Sequence, residues 1–167
     1  MKKVGIVAGS ISRFDNPRHT LQEEMCAEAM KMILDDVPEL ELGDFIKKGY
    51  ACCYSYFSDI LEQQQCMHWI INDYLGLSGV HSYRPESGGA TPIDAIVNAA
   101  LRVRSGMFPA VPAVSSEKMN ELPIQKVNEA KSICQQKRTR SLHAKLSCSS
   151  TQELGLFFKN GDNNLVI

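Results

Sequence analysis

The segment from Arg84 to Asp94 constrains the fold most strongly, because an extended run turns there through two glycines into a helix with several start signals. It reads R-P-E-S-G-G-A-T-P-I-D. We expect Thr91 to cap the helix, Pro92 to occupy its first turn and Asp94 to complete a capping box. Such a junction predicts an α/β protein, a class that often places a nucleophile where a strand passes into a helix.

Short apolar segments alternate with amphipathic ones along most of the chain. Strands are predicted at 4–8, 48–53, 79–86 and 108–115, and helices at 20–34, 58–75 and 91–105. The first strand is expected to be buried, 43–47 to be a connecting turn, and the fourth strand to be irregular because it contains Pro109 and Pro112. The alternation predicts a three-layer α/β fold, with a mixed sheet whose parallel strands are covered by helices.

Composition bounds the class of protein. The 167 residues, 44% of them hydrophobic, suffice for one ordinary core. A net charge of −1 gives no basic field for nucleic acid. The sequence has no apolar run of roughly 18 residues, the length that would span a bilayer, and its first residues do not resemble a signal peptide. We therefore expect a cytoplasmic protein with no nucleic-acid partner and no membrane span.

The six cysteines indicate neither a metal site nor a redox motif. They are Cys26, Cys52, Cys53, Cys66, Cys134 and Cys148, without a C-x-x-C pair or a zinc-like spacing, and no cofactor is expected. Cys26 and Cys66 fall in helical patterns, where a free cysteine usually behaves as a small buried hydrophobe. Cys52 and Cys53 are adjacent in a strand, so their side chains should face opposite sides of the sheet.

Four strings, correctly spaced, resemble one known family. They are V-G-I-V-A-G-S-I-S-R-F at 4–14, R-P-E-S-G-G-A-T-P at 84–92, S-G-M at 105–107 and S-E-K-M-N-E at 116–121. Together they cover residues 3–129 and resemble the N-terminal half of the thiolase family, whose members include acetyl-CoA acetyltransferases. The resemblance implies a thiolase-like half-fold and acyl transfer between acyl-CoA thioesters.

In thiolases a cysteine at this helix start accepts the acyl group, since the helix N-terminus stabilises its thiolate. The resemblance puts Gly89 at that position, flanked by Gly88 and Ala90. Other registers would place Ala90, Gly88 or Ser87 there; only Ser87 carries a nucleophilic atom, and no base is evident near it. The family's histidine and second cysteine belong to its C-terminal half, so no catalytic residue is assigned.

Residues Gly88, Gly89, Ala90 and Thr91 remain candidates for binding a substrate through backbone amides. The alternative is that the glycines merely permit a tight turn. The chain is accordingly predicted to be a thiolase-like protein without the nucleophilic cysteine, with a coenzyme A thioester as substrate or ligand. The alternatives are a non-catalytic acyl-CoA-binding, lipid-binding or assembly subunit, and an inactive gene fragment.

The resemblance also bears on domains and partners. Residues 1–130 are predicted to form a thiolase-like N-terminal domain and 131–167 a tail of uncertain structure, for which a truncated or frame-shifted gene is one hypothesis. Half of a two-fold fold would leave apolar faces uncovered, so a homo-oligomer or a second thiolase-like subunit is expected.

Overall fold

The chain folds into a mixed β-sheet with helices on both faces, as the alternation of short strands and amphipathic helices predicts. The computed structural model describes residues 3–12, 21–56, 64–118, 123, 125–126 and 154–160. The strands are β1 (Val4–Ile11), β2 (Ala51–Ser55), β3 (His81–Tyr83), β4 (Ala110–Ser115) and β5 (Leu154–Asn160). The helices are α1 (Gln22–Asp36), α2 (Leu42–Lys47), α3 (Met67–Tyr74) and α4 (Thr91–Ser105). The predicted fold class is confirmed.

In the part of the chain that is described, the sheet has the strand order β1-β5-β4-β2-β3. Strand β2 runs parallel to β3 and to β4, whereas β5 runs antiparallel to β4 and to β1. Strand β1 therefore lies at an edge with most of its residues exposed or half-buried, and the prediction of a buried first strand is wrong. The backbone of β5 joins the sheet from within 131–167, while the domain division at 130 and the frame-shift hypothesis stay predictions.

Two apolar clusters fill the spaces between the sheet and the helices on its two faces. One lies between the sheet and α1, α2 and α3 and contains Cys52 and Tyr54, and the other lies between the sheet and α4 and contains Cys53. The adjacent cysteines thus face opposite sides of the sheet, as predicted. On α4 the buried positions Ala95 and Ala99 carry only methyl groups, which lets the helix lie close to the strands.

The second predicted helix is shorter than its periodicity suggested. Helix α3 begins at Met67, Gln64 lies outside it, and Ser58 falls outside the described residues. Cys66 precedes the helix with φ 57° and is exposed, so its predicted burial is wrong, whereas Cys26 is buried as expected. The left-handed conformation of Cys66 marks the start of α3, later in the chain than the apolar pattern predicts.

Other boundaries differ in smaller ways. Residues predicted as a connecting turn form α2. Helix α1 is capped by a bond from Leu21 N to Glu24 Oε2 of 2.9 Å, one residue beyond the predicted box, and Thr20 is outside the described residues. Pro112 is buried in β4 between two neighbouring strands. None of the helices within the described ranges is long and apolar enough to cross a membrane.

Candidate functional site

The candidate site lies where β3 passes into α4. A 3-10 turn over Gly88–Ala90 separates the extended residues from the helix, which begins at Thr91 and ends before Gly106. Thr91 is only 2% exposed; its Oγ1 accepts from Ser87 N at 2.9 Å and donates to Gly88 O at 2.6 Å. The predicted capping box is wrong because the extra turn makes Ala90 the N-cap, without a side-chain cap.

The two glycines of this turn differ. Gly88 has φ +59°, the left-handed region that favours glycine, whereas Gly89 lies outside that region. A Cβ added at Gly89 would meet nothing within 4 Å, and the residue is exposed. The backbone here would therefore accept a side chain at 89.

Gly89 also carries the amide left over at the helix start. Gly88 N donates to Glu86 Oε1 at 3.3 Å and Ala90 N to Ser87 O at 3.2 Å. No acceptor for the Gly89 N–H is found among the described residues. Because free amides and the helix dipole favour an acceptor at this end, a carbonyl oxygen could bind there.

A hydroxyl and a carboxylate meet beside the turn. Ser87 Oγ donates to Asp94 Oδ2 at 2.8 Å, and Asn98 Nδ2 donates to Asp94 Oδ1 at 3.0 Å. The expectation that no base lies near Ser87 is therefore wrong. The sequence does contain this carboxylate, seven residues after Ser87. Of the described histidines, His68 hydrogen-bonds through Nδ1 to a tyrosine hydroxyl and His81 stacks on a phenylalanine ring.

The rim of the turn is held by an ion pair. Arg84 pairs with Glu86, and its guanidinium also lies 4.6 Å from the centre of the Tyr56 ring. Two acidic side chains, Glu86 and Asp94, flank the amides of the turn. The arginine partly neutralises the charge of Glu86 but not that of Asp94. This arrangement disfavours a ligand anion and is compatible with a neutral carbonyl.

Behind the helix, a thiol and a phenol are buried together. Cys53 Sγ donates to Ala95 O at 3.5 Å, and burial raises the pKa of this thiol to about 12. The buried Tyr83 hydroxyl lies beside the Cys53 thiol but makes no hydrogen bond of good geometry within the described residues. Burial, followed by the nearby Cys53, raises the pKa of Tyr83. Arg102 lies 3.8 Å from the centre of the Tyr83 ring. Cys53 thus stays a neutral thiol at neutral pH.

A second polar cluster on the opposite face was not predicted. Ser116 Oγ accepts from Gln22 Nε2 at 2.5 Å and contacts Cys26 Sγ at 3.0 Å, while Ser116 N donates to Ser55 O at 3.0 Å. These four residues are buried, and the bonds tie α1 to the ends of β2 and β4. Of these four residues, only Ser116 lies in one of the four strings that resemble thiolase sequences. Among all the described residues, no group of three or more His, Cys, Asp or Glu side chains could hold a metal ion.

Solved structures share this fold at low sequence identity. No protein-family model and no curated protein matches the sequence. The Aquifex aeolicus 3-oxoacyl-acyl-carrier-protein synthase III is 13% identical with a TM-score of 0.58, over 87% of this chain and 41% of that one. The curacin-pathway HMG synthase in complex with acetyl donor-ACP is 16% identical with a TM-score of 0.62, over 94% and 41%. A Xanthomonas campestris OleA variant with cerulenin is 13% identical with a TM-score of 0.58, over 86% and 42%.

These likenesses establish the class of fold. The chain has the thiolase-like fold of condensing enzymes, and it spans about two fifths of the length of the structures it matches. The candidate residues Gly88, Gly89, Ala90 and Thr91 form one continuous turn, in which Thr91 bonds the turn itself. Ligand binding by these residues remains a prediction.

Proposed function

We propose that this chain is a thiolase-like protein that binds an acyl thioester at the helix start of Gly88–Thr91 without forming a covalent acyl-enzyme. The observation that carries the proposal is the exposed Gly89, whose N–H has no acceptor among the described residues. The resemblance to thiolases puts this residue, which has no side chain, at the position of their nucleophile. The thiolase-like fold supports acyl chemistry at the level of fold alone.

The charges around the turn favour the thioester carbonyl over the phosphates of coenzyme A as the bound group. Glu86 and Asp94 would repel a phosphate, and only Glu86 is balanced by an arginine. A carbonyl oxygen carries a partial negative charge that one amide and the helix dipole can stabilise. The acyl end of the ligand is therefore the part that this turn would recognise.

Covalent catalysis lacks an activated nucleophile among the described residues of this site. The Ser87 hydroxyl donates to Asp94, and the Thr91 hydroxyl is buried in the turn. Cys52 and Cys53 are buried, and burial raises the pKa of both thiols to about 12. Ser87 is bonded to a carboxylate rather than to a histidine base, and neither buried cysteine presents an exposed thiolate, so none of these groups has the activation that acyl transfer by a side-chain nucleophile usually needs.

Acetyl labelling tests the chemistry. Incubation with radiolabelled acetyl-CoA should leave the wild-type chain unlabelled, and Gly89→Cys should become labelled at residue 89 because the helix start lowers a thiol pKa. All chains in this assay carry Cys66→Ser, which removes an exposed thiol, and the reference chain keeps glycine at 89. Ile46→Cys, an exposed position elsewhere, controls for non-specific acetylation. A labelled wild-type peptide containing Ser87 would overturn the non-covalent proposal.

Calorimetry tests the binding. Acetyl-CoA should bind at least about tenfold more tightly than free coenzyme A, which is about 1.4 kcal/mol, because only the thioester offers a carbonyl to Gly89. Gly89→Val should remove this preference by covering the amide. Equal binding of both compounds, or no heat from either, would favour the view that the glycines serve only the turn.

The acyl donor could also be a carrier protein. One solved structure with this fold is a complex with an acetyl donor-ACP, which makes an acyl carrier a second source of the same thioester. The titration is repeated with acetylated carrier protein to separate the two. The remaining alternative, an inactive gene fragment, predicts aggregation on gel filtration and no binding to either donor.

A further inference from the structure

We propose that Glu86 is an internal competitor for the candidate site, because its carboxylate occupies an amide that a bound carbonyl oxygen could use. Glu86 Oε1 accepts from Gly88 N at 3.3 Å, and the next amide, Gly89 N–H, has no acceptor among the described residues. The turn therefore already holds one oxygen atom, which the chain itself supplies. This inference rests on the proposed function, since it states what regulates binding at the same turn.

The two amides belong to one turn. Gly88 and Gly89 open the 3-10 turn, and Gly88 has φ +59°. Successive N–H groups in a turn that passes through a left-handed residue form a concavity that can bind an acceptor oxygen. While Glu86 fills one side of this concavity, a carbonyl oxygen has only the Gly89 amide to accept from. Once the carboxylate moves away, one oxygen could accept from both amides.

The contact between Glu86 and Gly88 is weak enough to be displaced. Its length of 3.3 Å lies beyond the usual range of about 2.7–3.2 Å for N–H···O bonds. The Glu86 side chain is 48% exposed, so the carboxylate can turn from the amide to water. Displacement therefore costs one long hydrogen bond, whereas the incoming carbonyl gains a second amide.

Arg84 holds the competitor in place. Its guanidinium pairs with Glu86 Oε2, while Oε1 of the same carboxylate accepts from Gly88. The guanidinium carbon also lies 4.6 Å from the centre of the buried Tyr56 ring, and the Arg84 side chain is only 17% exposed. The arginine is thus held by packing, and the carboxylate that it binds reaches the surface. Removing the Arg84 charge should therefore loosen the carboxylate from the amide without altering Glu86 itself.

Paired titrations with acetyl-CoA and coenzyme A test the competition. The ratio of the two dissociation constants is compared, because a change of charge that acts on both compounds alike cancels in it. Glu86→Ala should raise the preference for acetyl-CoA about three- to tenfold over the wild-type chain, the effect of one hydrogen bond. Glu86→Gln removes the same charge but keeps an oxygen that can accept from Gly88, so its ratio should stay within about twofold. Arg84→Gln should raise the preference, but less than Glu86→Ala does.

The titrations distinguish failure of the competition from failure of the proposed function. If the wild-type chain prefers acetyl-CoA and Glu86→Ala leaves the ratio unchanged or lower, the competition is refuted and the function stands. An equal rise in Glu86→Ala and Glu86→Gln would assign the effect to charge and refute the competition as well. If neither the wild-type chain nor Glu86→Ala prefers acetyl-CoA, both the function and the competition are refuted.

Amide hydrogen exchange, measured by NMR, tests the occupied amide without any ligand. After correction for intrinsic rates, Gly88 N–H should exchange at least about threefold more slowly than Gly89 N–H in the wild-type chain, and Glu86→Ala should abolish this difference. Equal exchange of the two amides in the wild-type chain would overturn the proposal whatever the titrations show. The wild-type measurement needs no variant, so it decides the point even if Glu86→Ala fails to fold.

Discussion

Replacing each turn glycine by alanine separates a backbone requirement from a functional one. Gly88 has φ +59° and Gly89 lies outside the left-handed region, and a Cβ at either position meets nothing within 4 Å. Both variants lower the entropy of the unfolded chain alike, which stabilises the fold by about 0.4–1 kcal/mol. Only Gly88→Ala adds the cost of a left-handed alanine, about 1–2 kcal/mol.

The free energies of unfolding of the two variants should therefore differ by about 1–2 kcal/mol, with Gly89→Ala the more stable. For a chain of this size that corresponds to about 2–8 °C in melting temperature. Urea unfolding and scanning calorimetry measure the difference, with the wild-type chain as reference. If Gly89→Ala loses as much stability as Gly88→Ala, the turn requires glycine at both positions and the argument that residue 89 could carry a nucleophile fails.

Three further predictions concern buried and paired groups. Tyr83→Phe should raise the free energy of unfolding by about 1 kcal/mol in urea titrations, because it removes a buried hydroxyl whose neighbour, the Cys53 thiol, is only a weak hydrogen-bond partner; a loss of stability would show that the thiol is an effective partner. In the native protein at pH 8, iodoacetamide should label Cys66 and spare Cys53, since at a pKa of about 12 only about one thiol in 10⁴ is ionised; peptide mapping that finds both labelled would contradict the burial. The pKa of Asp44 is lowered below 3.8 by its hydrogen bond from Lys48, so the stability it contributes is present above that pH and lost as pH falls through the lowered pKa; Asp44→Asn should flatten this acid-side dependence, and an unchanged pH curve would refute it.

Local signals in the sequence located the ends of α4 well. Pro92 in the first turn and Gly106 after the last one fix the ends of α4, because each acts through its own backbone angles. The capping residue was misplaced because Thr91 can bond the 3-10 turn instead of capping the helix. A choice between two local hydrogen bonds depends on whether the extra turn forms, and the sequence does not determine that.

Long-range features could not be predicted in the same way. The place of β1 at an edge depends on β5, whose partner residues are more than a hundred positions away in the chain. The bond between Gln22 and Ser116 spans 94 positions. Periodicity reports which residues share a face within one element, but pairing between elements is set by packing of the whole sheet. The contact of Ser87 with Asp94 was missed for a smaller reason, since it requires the turn geometry that folds seven residues back on themselves.

The chemistry open to the candidate site depends on where each potentially reactive group lies. Raising the pH cannot activate it, because the thiol of Cys53 ionises only near pH 12 and lies behind the helix rather than at its start. The Ser87 hydroxyl donates its hydrogen bond to Asp94, and none of the described histidines is bonded to it. A side chain at position 89 would stand at the exposed helix start, and the backbone there has room for one. Under the proposed function, glycine at 89 leaves the amide accessible without supplying a nucleophile, so an acyl thioester bound at this turn is expected to be released unchanged.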